Sequence, residues 1–372
     1  MAARALRLLG IDTSVVEGWK SVGTVRPASL SVSFANYLPR PLNWLARDVT
    51  YELGVFRIAA SKSPMLYINL NTVGSIGMRM AARHKPLIVD VQDFTIQDDH
   101  TIPFYDEQTL RISSPDLVVF ASEAIEALVE KKYPKLLKRT EYVPFGIDLA
   151  TFDKHYTKAD PTLFRSKFSI FDENLLVYTG AAYLWGDREG QGIELMLKAL
   201  KFVIKERADV KLVIQGAAKP NTKIFSWIWS WIRRLELEGY VIVLPPMHPY
   251  DPIRMSMLKA ADVLLLPIGN ILGTYYATQQ KLFEYMATSR PIAMVATPAR
   301  LSVVNEKGAF ITYRRDPVDF GAAIMEALSD EQEARAKSRH ARWLVEQRYD
   351  WKWIIPKYAE AVRRLLENDS SI

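Results

Sequence analysis

Residues 262–298 read DVLLLPIGNILGTYYATQQKLFEYMATSRPIAMVATP. The apolar run 263–267 ends in proline, a loop follows, residues 281–288 carry helical spacing, and 292–295 form a second apolar run. Short apolar runs alternating with helical segments argue for parallel βαβ units in a doubly wound sheet. The same alternation continues towards the amino end, with strands expected at 175–179, 211–215 and 241–244. Helices are expected at 192–206 and 252–260. The first of these puts Ile193, Met196, Leu197, Leu200 and Val203 on one face. Further upstream the pattern repeats, with strands at 11–16, 65–69, 87–91, 117–121 and 142–144. Helices fall at 41–60, 73–83, 104–112 and 123–131. Residues 149–171 are polar and unpatterned and read as a linker, and the tail from Asp330 is helical. The chain thus reads as two α/β domains with a cleft between them, and ligands of open α/β sheets sit at the carboxyl ends of the strands.

Composition narrows the classes. The 372 residues suit two domains, and 49% apolar with 24% charged residues is the balance of a globular protein. No run approaches the ~20 apolar residues that cross a membrane. With no cysteine, disulfides, thiolate metal sites and a cysteine nucleophile are excluded. The net charge of +6 favours an anionic partner. The amino end, MAARALRLLG, is basic, short of a long apolar core, and lacks a cleavage site of small residues, so it does not read as a secretory signal.

Several motifs are absent. Gly190-Gln-Gly192 lacks the third glycine of a dinucleotide fingerprint and follows its strand by ten residues. There is no Walker loop, serine elbow or HExxH. The histidines at 84, 100, 155, 248 and 340 show no metal-ligand spacing, and Asp90 and Asp93 do not make an Asp-x-Asp pair. No metal and no cofactor are expected.

Residues 262–298 closely resemble the donor-site segment of GT-B glycosyltransferases of the family 4 type. In these a strand ending in proline leads through a loop to a K-L-x-E-Y-M-A helix and a P-I turn. YVPFGID (142–148) is similar to that family's inter-domain "PNGVD" passage, and VKLVIQGA (210–217) and WKWIIPKYAEAVRRLL (351–366) fall in the expected places. The resemblance implies a GT-B fold, two Rossmann-like domains facing a cleft. It implies an acceptor domain over 1–148, a nucleotide-sugar domain over 149–350, and a helix over 351–372 returning to the first domain. ARALRLLGIDTSVV matches the family's first helix and following strand, so the family's own first strand is expected to be missing. The implied activity is transfer of a sugar from a nucleoside-diphosphate sugar, UDP-linked, to an acceptor hydroxyl. A helix starting near Thr278–Lys281 offers open N–H groups and a positive dipole end to a diphosphate. On this resemblance Gly180 and Gly216 let the donor approach the backbone, and Met247 lies against the nucleobase. Thr278, Gln279, Lys281 and Leu282 border the phosphates or sugar, and Glu284 holds the ribose. An ordinary amphipathic helix with Lys and Glu on its solvated face is the plainer reading of the same residues.

The chain departs from the retaining members of the family. Tyr276 stands where they carry the first of two glutamates, and Ala181 and Gln191 stand where they place Arg and Lys for the diphosphate. Arg188 is the nearest substitute, unless it is a solvated loop arginine. The chain is similar in other places to the inverting, membrane-associated glucuronosyltransferase of xanthan assembly. There LIVDVQDF (87–94), PPMHP (245–249) and Lys281 match a strand-end base, a methionine near the nucleobase and a donor-helix lysine. That likeness makes Asp93 the general base, with Asp90 or a turn role for Asp93 as alternatives.

The positive charge has two further outlets. KIFSWIWSWIRR (223–234) places Trp227, Trp229 and Trp231 within five positions and closes on Arg233 and Arg234. Tryptophan with arginine suits an anionic membrane interface, and a packed helix of the donor domain is the alternative. A cytoplasmic protein, peripheral on the inner membrane face and acting on a lipid-linked glycan, follows from the first reading. Nucleic-acid binding would need exposed aromatics interleaved with basic residues on a known module, and neither is present. A sugar-nucleotide epimerase, or an inactive GT-B protein that binds a sugar nucleotide or a partner, are the remaining functional alternatives.

Overall fold

The structure, a computed structural model, describes residues 2–9, 56, 60, 66–70, 75–92, 95–185 and 188–369. The strand expected at 11–16, most of the helix expected at 41–60 and Asp93 lie outside these residues. The chain forms two compact units, Met1–Pro144 with Lys352–Ile372, and Phe145–Trp351.

The first unit holds four parallel strands in chain order, β1 (Tyr67–Leu70), β2 (Leu87–Val91), β3 (Leu117–Phe120) and β4 (Thr140–Tyr142). Its helices are α1 (Ala2–Leu8), α2 (Ile76–Ala82), α3 (Phe104–Ser113) and α4 (Glu123–Lys132). One face of the sheet presents Ile68, Ile88, Leu117 and Val119 to Leu6 and to Ile354, Tyr358 and Val362 of the closing helix, Trp351–Asp369. Asp90 shares the face of Ile88, two residues along the strand. It is 2% exposed. Burial pushes its carboxyl up to about 6, against the pull of the Tyr358 hydroxyl beside it.

The second unit begins with α5 (Leu149–Tyr156) and α6 (Pro161–Lys167), in the stretch read from sequence as a linker. That reading is corrected. Asp148 accepts from the Thr151 N–H and Asp160 from the Thr162 N–H, capping both helices, and Leu149, Phe152 and Phe164 are buried. A six-stranded parallel sheet follows, ordered β12-β11-β10-β5-β8-β9. Its strands are β5 (Asn174–Thr179), β8 (Val210–Gln215), β9 (Val241–Leu244), β10 (Val263–Leu266), β11 (Ile292–Val295) and β12 (Phe310–Thr312). A hairpin of β6 (Leu184–Trp185) and β7 (Arg188–Glu189) leads into α7 (Ile193–Glu206). The other helices are α8 (Lys223–Arg234), α9 (Pro252–Ala260), the short α10 (Leu272–Tyr276), α11 (Gln280–Ala287), the short α12 (Pro298–Leu301), α13 (Pro317–Ser329) and α14 (Glu331–Leu344).

Side-chain alternation splits this unit into two cores. Leu175, Val177, Val213, Leu264, Leu266, Ile292 and Met294 face α5, α6, α9 and α11. Leu176, Tyr178, Leu212, Ile214, Leu265, Ala293 and Val295 face α7, α8 and α13. Strands buried on both faces are therefore mostly apolar along their length, as parallel sheets require. The chain runs outwards from β5 through β8 to β9 on one side and from β10 through β11 to β12 on the other. The topological switch point lies between β5 and β10, where the connecting segments diverge and leave room for a ligand.

Candidate functional site

Polar side chains converge at that switch point. β5 ends at Thr179, and Gly180 follows with φ +128°, a conformation open to glycine. A Cβ there would lie 2.7 Å from Lys281 Nζ, so the missing side chain is what admits the lysine. Lys281, on the first turn of α11, donates to Tyr178 Oη at 2.8 Å and to Gln191 Oε1 at 2.9 Å. Its Nζ also lies 4.2 Å from the centre of the Tyr178 ring. Lys281 is half-buried. Desolvation, with the Arg300 guanidinium adding to it, brings the ammonium down to about 7, and Glu189 and Glu284 oppose the shift.

Gln279 links this lysine to Arg300. Its Nε2 donates to Gln191 Oε1 at 3.2 Å, and its Oε1 accepts from Arg300 Nη2 at 2.8 Å. Arg300 is fully buried, and its guanidinium also donates to the carbonyls of Leu266 (2.8 Å), Val295 (2.7 Å) and Pro267 (2.6 Å). Burial draws it down to about 9. The Thr278 hydroxyl is buried with no hydrogen-bond partner, and no side chain caps the amino end of α11. Open N–H groups, a buried hydroxyl and a lysine therefore meet at one helix terminus, which suits an anion.

Glu284, one turn on, is not free. It forms a bidentate pair with Arg254 of α9, both contacts 2.6 Å, and Arg254 also donates to the Pro249 carbonyl at 2.8 Å. Two of the roughly four acceptor positions of the carboxylate remain for hydroxyl donors. Gly216, at φ +84°, follows β8 beside Gly180, and Met247 packs half-buried on the α5–α9–α11 core.

The remaining expected residues fall elsewhere. The Leu282 side chain is fully buried in the core and its N–H bonds the Gln279 carbonyl, so it offers nothing to a ligand. Arg188 is exposed on the β6–β7 hairpin. The N–H groups at the start of α7 are taken by Glu189. Its carboxylate accepts from Gln191 (2.5 Å), Gly192 (2.6 Å) and Ile193 (3.0 Å), and desolvation raises it. Trp227, Trp229 and Trp231 are half-buried against the α7–α8–α13 core, while Arg233 and Arg234 are exposed. Lys198 and Arg234 lie 4.9 Å and 5.0 Å from the Trp231 ring centre. The sequence reading missed Glu189, Arg254 and Arg300. Among the described residues no group of three or more His, Asp or Glu is placed to hold a metal ion, and no helix is long and apolar enough to cross a membrane.

Residues 173–330, the sheet that builds this site, match the family described as Glycosyl transferases group 1. Solved structures resemble the chain as a whole. A glycosyltransferase from Rickettsia africae superposes with TM-score 0.69 at 12% identity, covering 86% of this chain and 82% of its own. Sucrose-phosphate synthase from Thermosynechococcus elongatus gives 0.67 at 15%, covering 89% and 81%. Anabaena HepE in complex with UDP-glucose gives 0.65 at 16%, covering 90% and 84%. No curated protein matches by sequence. The fold is GT-B, two Rossmann-like α/β units. With the family match on residues 173–330, the enzyme class is glycosyltransferase.

Proposed function

We propose that the chain transfers a sugar from a UDP-sugar to the hydroxyl of a lipid-linked glycan, without metal and with inversion. Residues 149–350 hold the donor and residues 1–148 the acceptor. The observation that carries the reading is the cluster of Gly180, Gln191, Thr278, Gln279, Lys281 and Arg300 at the switch point of a sheet that matches the group 1 family. Anabaena HepE, of similar fold, binds UDP-glucose, which favours uridine as the nucleotide.

In this reading the open N–H groups of α11 and Lys281 hold the diphosphate and stabilise its charge as it leaves. Glu284 accepts from the ribose hydroxyls and Met247 lies under the base. Asp93 takes the proton of the acceptor hydroxyl, which attacks the anomeric carbon as the bond to the diphosphate breaks. One carboxylate suffices for inversion. The tryptophans and arginines of α8 place the protein at an anionic membrane surface on the cytoplasmic side.

A panel of sugar nucleotides in thermal-shift and nucleotide-release assays tests the donor; if none binds, the reading falls. Asp93→Asn is expected to abolish transfer and keep donor binding, and wild-type turnover in that variant removes Asp93 as base. Co-sedimentation with anionic liposomes tests the membrane role, and no binding at low salt counts against it. A second reading, a catalytically silent binder of sugar nucleotides, is favoured by Ala181 and Gln191, which stand where the family it resembles places Arg and Lys for the diphosphate.

A further inference from the structure

The hydrogen bonds around Gln191 have a fixed direction. Arginine donates and cannot accept, so the Gln279 atom facing Arg300 is its oxygen, 2.8 Å away. Its nitrogen then faces Gln191, and the Gln191 atom that meets it must be an acceptor, Oε1 at 3.2 Å. Lys281, which as an ammonium has donors only, makes the same demand on Gln191 Oε1 at 2.9 Å. The Tyr178 hydroxyl also lies within reach of this oxygen, at 3.4 Å, so three donors converge on it, and the Gln191 Nε2 hydrogens are left with no partner among the described residues.

The start of this chain is anchored in the sheet. Arg300 is fully buried and holds the carbonyls of Leu266, Pro267 and Val295, at the carboxyl ends of β10 and β11, so it cannot turn without breaking those bonds, and Gln279 cannot turn without losing Arg300. The backbone of Gln191 is held separately, by Glu189 at 2.5 Å. A neutral carboxamide is therefore presented donor-first, next to the open end of α11.

We propose that Arg300 is a positioning residue for donor capture: through Gln279 it turns the Gln191 carboxamide so that Nε2 donates to the diphosphate of the bound nucleotide. The assignment rests on the donor site described under Proposed function. It replaces the charge that the family places here with a single oriented hydrogen bond, and it makes the binding strength depend on a side chain that touches no ligand.

The test is the affinity for UDP, by titration calorimetry, in a double-mutant cycle. Gln191→Met removes the donating group from a half-buried position and is expected to weaken UDP binding about tenfold or more. Arg300→Lys keeps a positive charge and loses the fork. It is expected to weaken UDP about fivefold or more in the wild-type background and to have no further effect in the Gln191→Met background. A purely structural Arg300 would lower the thermal midpoint while leaving UDP affinity unchanged, or would act equally in both backgrounds; either result overturns the proposal. Should Arg300→Lys not fold, Gln279→Leu breaks the same chain one step later and carries the same expectation. Gln191→Met binding UDP as the wild type does overturns it without any Arg300 variant. If the wild type itself does not bind UDP, the donor-site reading falls and this assignment falls with it.

Discussion

Donor binding should be coupled to a proton at Lys281. The ammonium, ordinarily near 10.5, is brought down to about 7 by desolvation and by Arg300. A diphosphate lying against it stabilises the charged form, so binding draws the proton on. At pH 7 about half of the free protein carries that proton, and the uptake is about half a proton per nucleotide bound. It rises to about 0.9 at pH 8 and falls to about 0.1 at pH 6, while the dissociation constant weakens about tenfold for each pH unit above 7. UDP-glucose is the probe to use, because its diphosphate has no ionisation in this range. Calorimetric titrations in two buffers of different ionisation heat read the uptake directly. Lys281→Met should abolish the pH dependence and weaken binding at pH 6 about tenfold or more. The same variant should be more stable than the wild type. A lowered lysine leaves the unfolded chain binding more protons between about pH 7 and 10.5, so stability rises with pH across that window. The burial cost relieved at pH 7 is at most about 5 kcal/mol. Equal heats in both buffers, with an affinity flat from about pH 6 to 8.5, would refute the coupling.

Three further outcomes follow from buried groups. Arg254→Met leaves Glu284 unpaired and mostly buried, which should cost about 3–5 kcal/mol in denaturant unfolding, and adding Glu284→Gln should recover part of it. Asp90 is raised from 3.8 to about 6, so the native state binds the extra proton and stability falls as pH rises between those values. Asp90→Asn should therefore stabilise the first unit at pH 7 by up to about 3 kcal/mol and by nothing below about pH 4, checked by thermal midpoints across pH. Gly180→Ala puts a methyl group 2.7 Å from Lys281 Nζ at a φ of +128°, so UDP-glucose binding and its proton uptake should both be lost, as titration would show.

The sheet of the second unit was legible because its strands are mostly apolar runs and helices such as α7 carry clear spacing. Capping was the signal overlooked. Asp251-Pro252 and Asp316-Pro317 begin helices, and Asp160-Pro161 does the same within the supposed linker. Low hydrophobicity hid α5 and α6, whose contacts rest on a few residues such as Phe152 and Phe164. Gly180, Thr278, Gln279 and Lys281 could be named from the motif because they lie on one strand end and one helix start. Arg300 and Arg254 could not. A buried arginine looks like a surface one in sequence when its partners are backbone carbonyls 33 and 34 residues away or a carboxylate 30 residues on. Glu189 was hidden for a related reason: its carboxylate caps a helix that carries no Ser, Thr, Asp or Asn before its first turn.

The origin of the first unit's core bears on how the chain is made. Beside Ala5 and Leu6, Ile354, Tyr358, Val362 and Leu365 pack on strands that end at Tyr142, so the ribosome must add about two hundred residues after β4 before that face is fully covered. At about 5–20 residues per second, the gap is about 10–40 s. The second unit is continuous from Phe145 to Trp351 and has all its own partners by then. Biosynthesis should thus reverse the usual amino-to-carboxyl order. The nascent strands of the first unit wait with an apolar face only partly covered, a natural client for a chaperone, while the sheet of the second unit closes first.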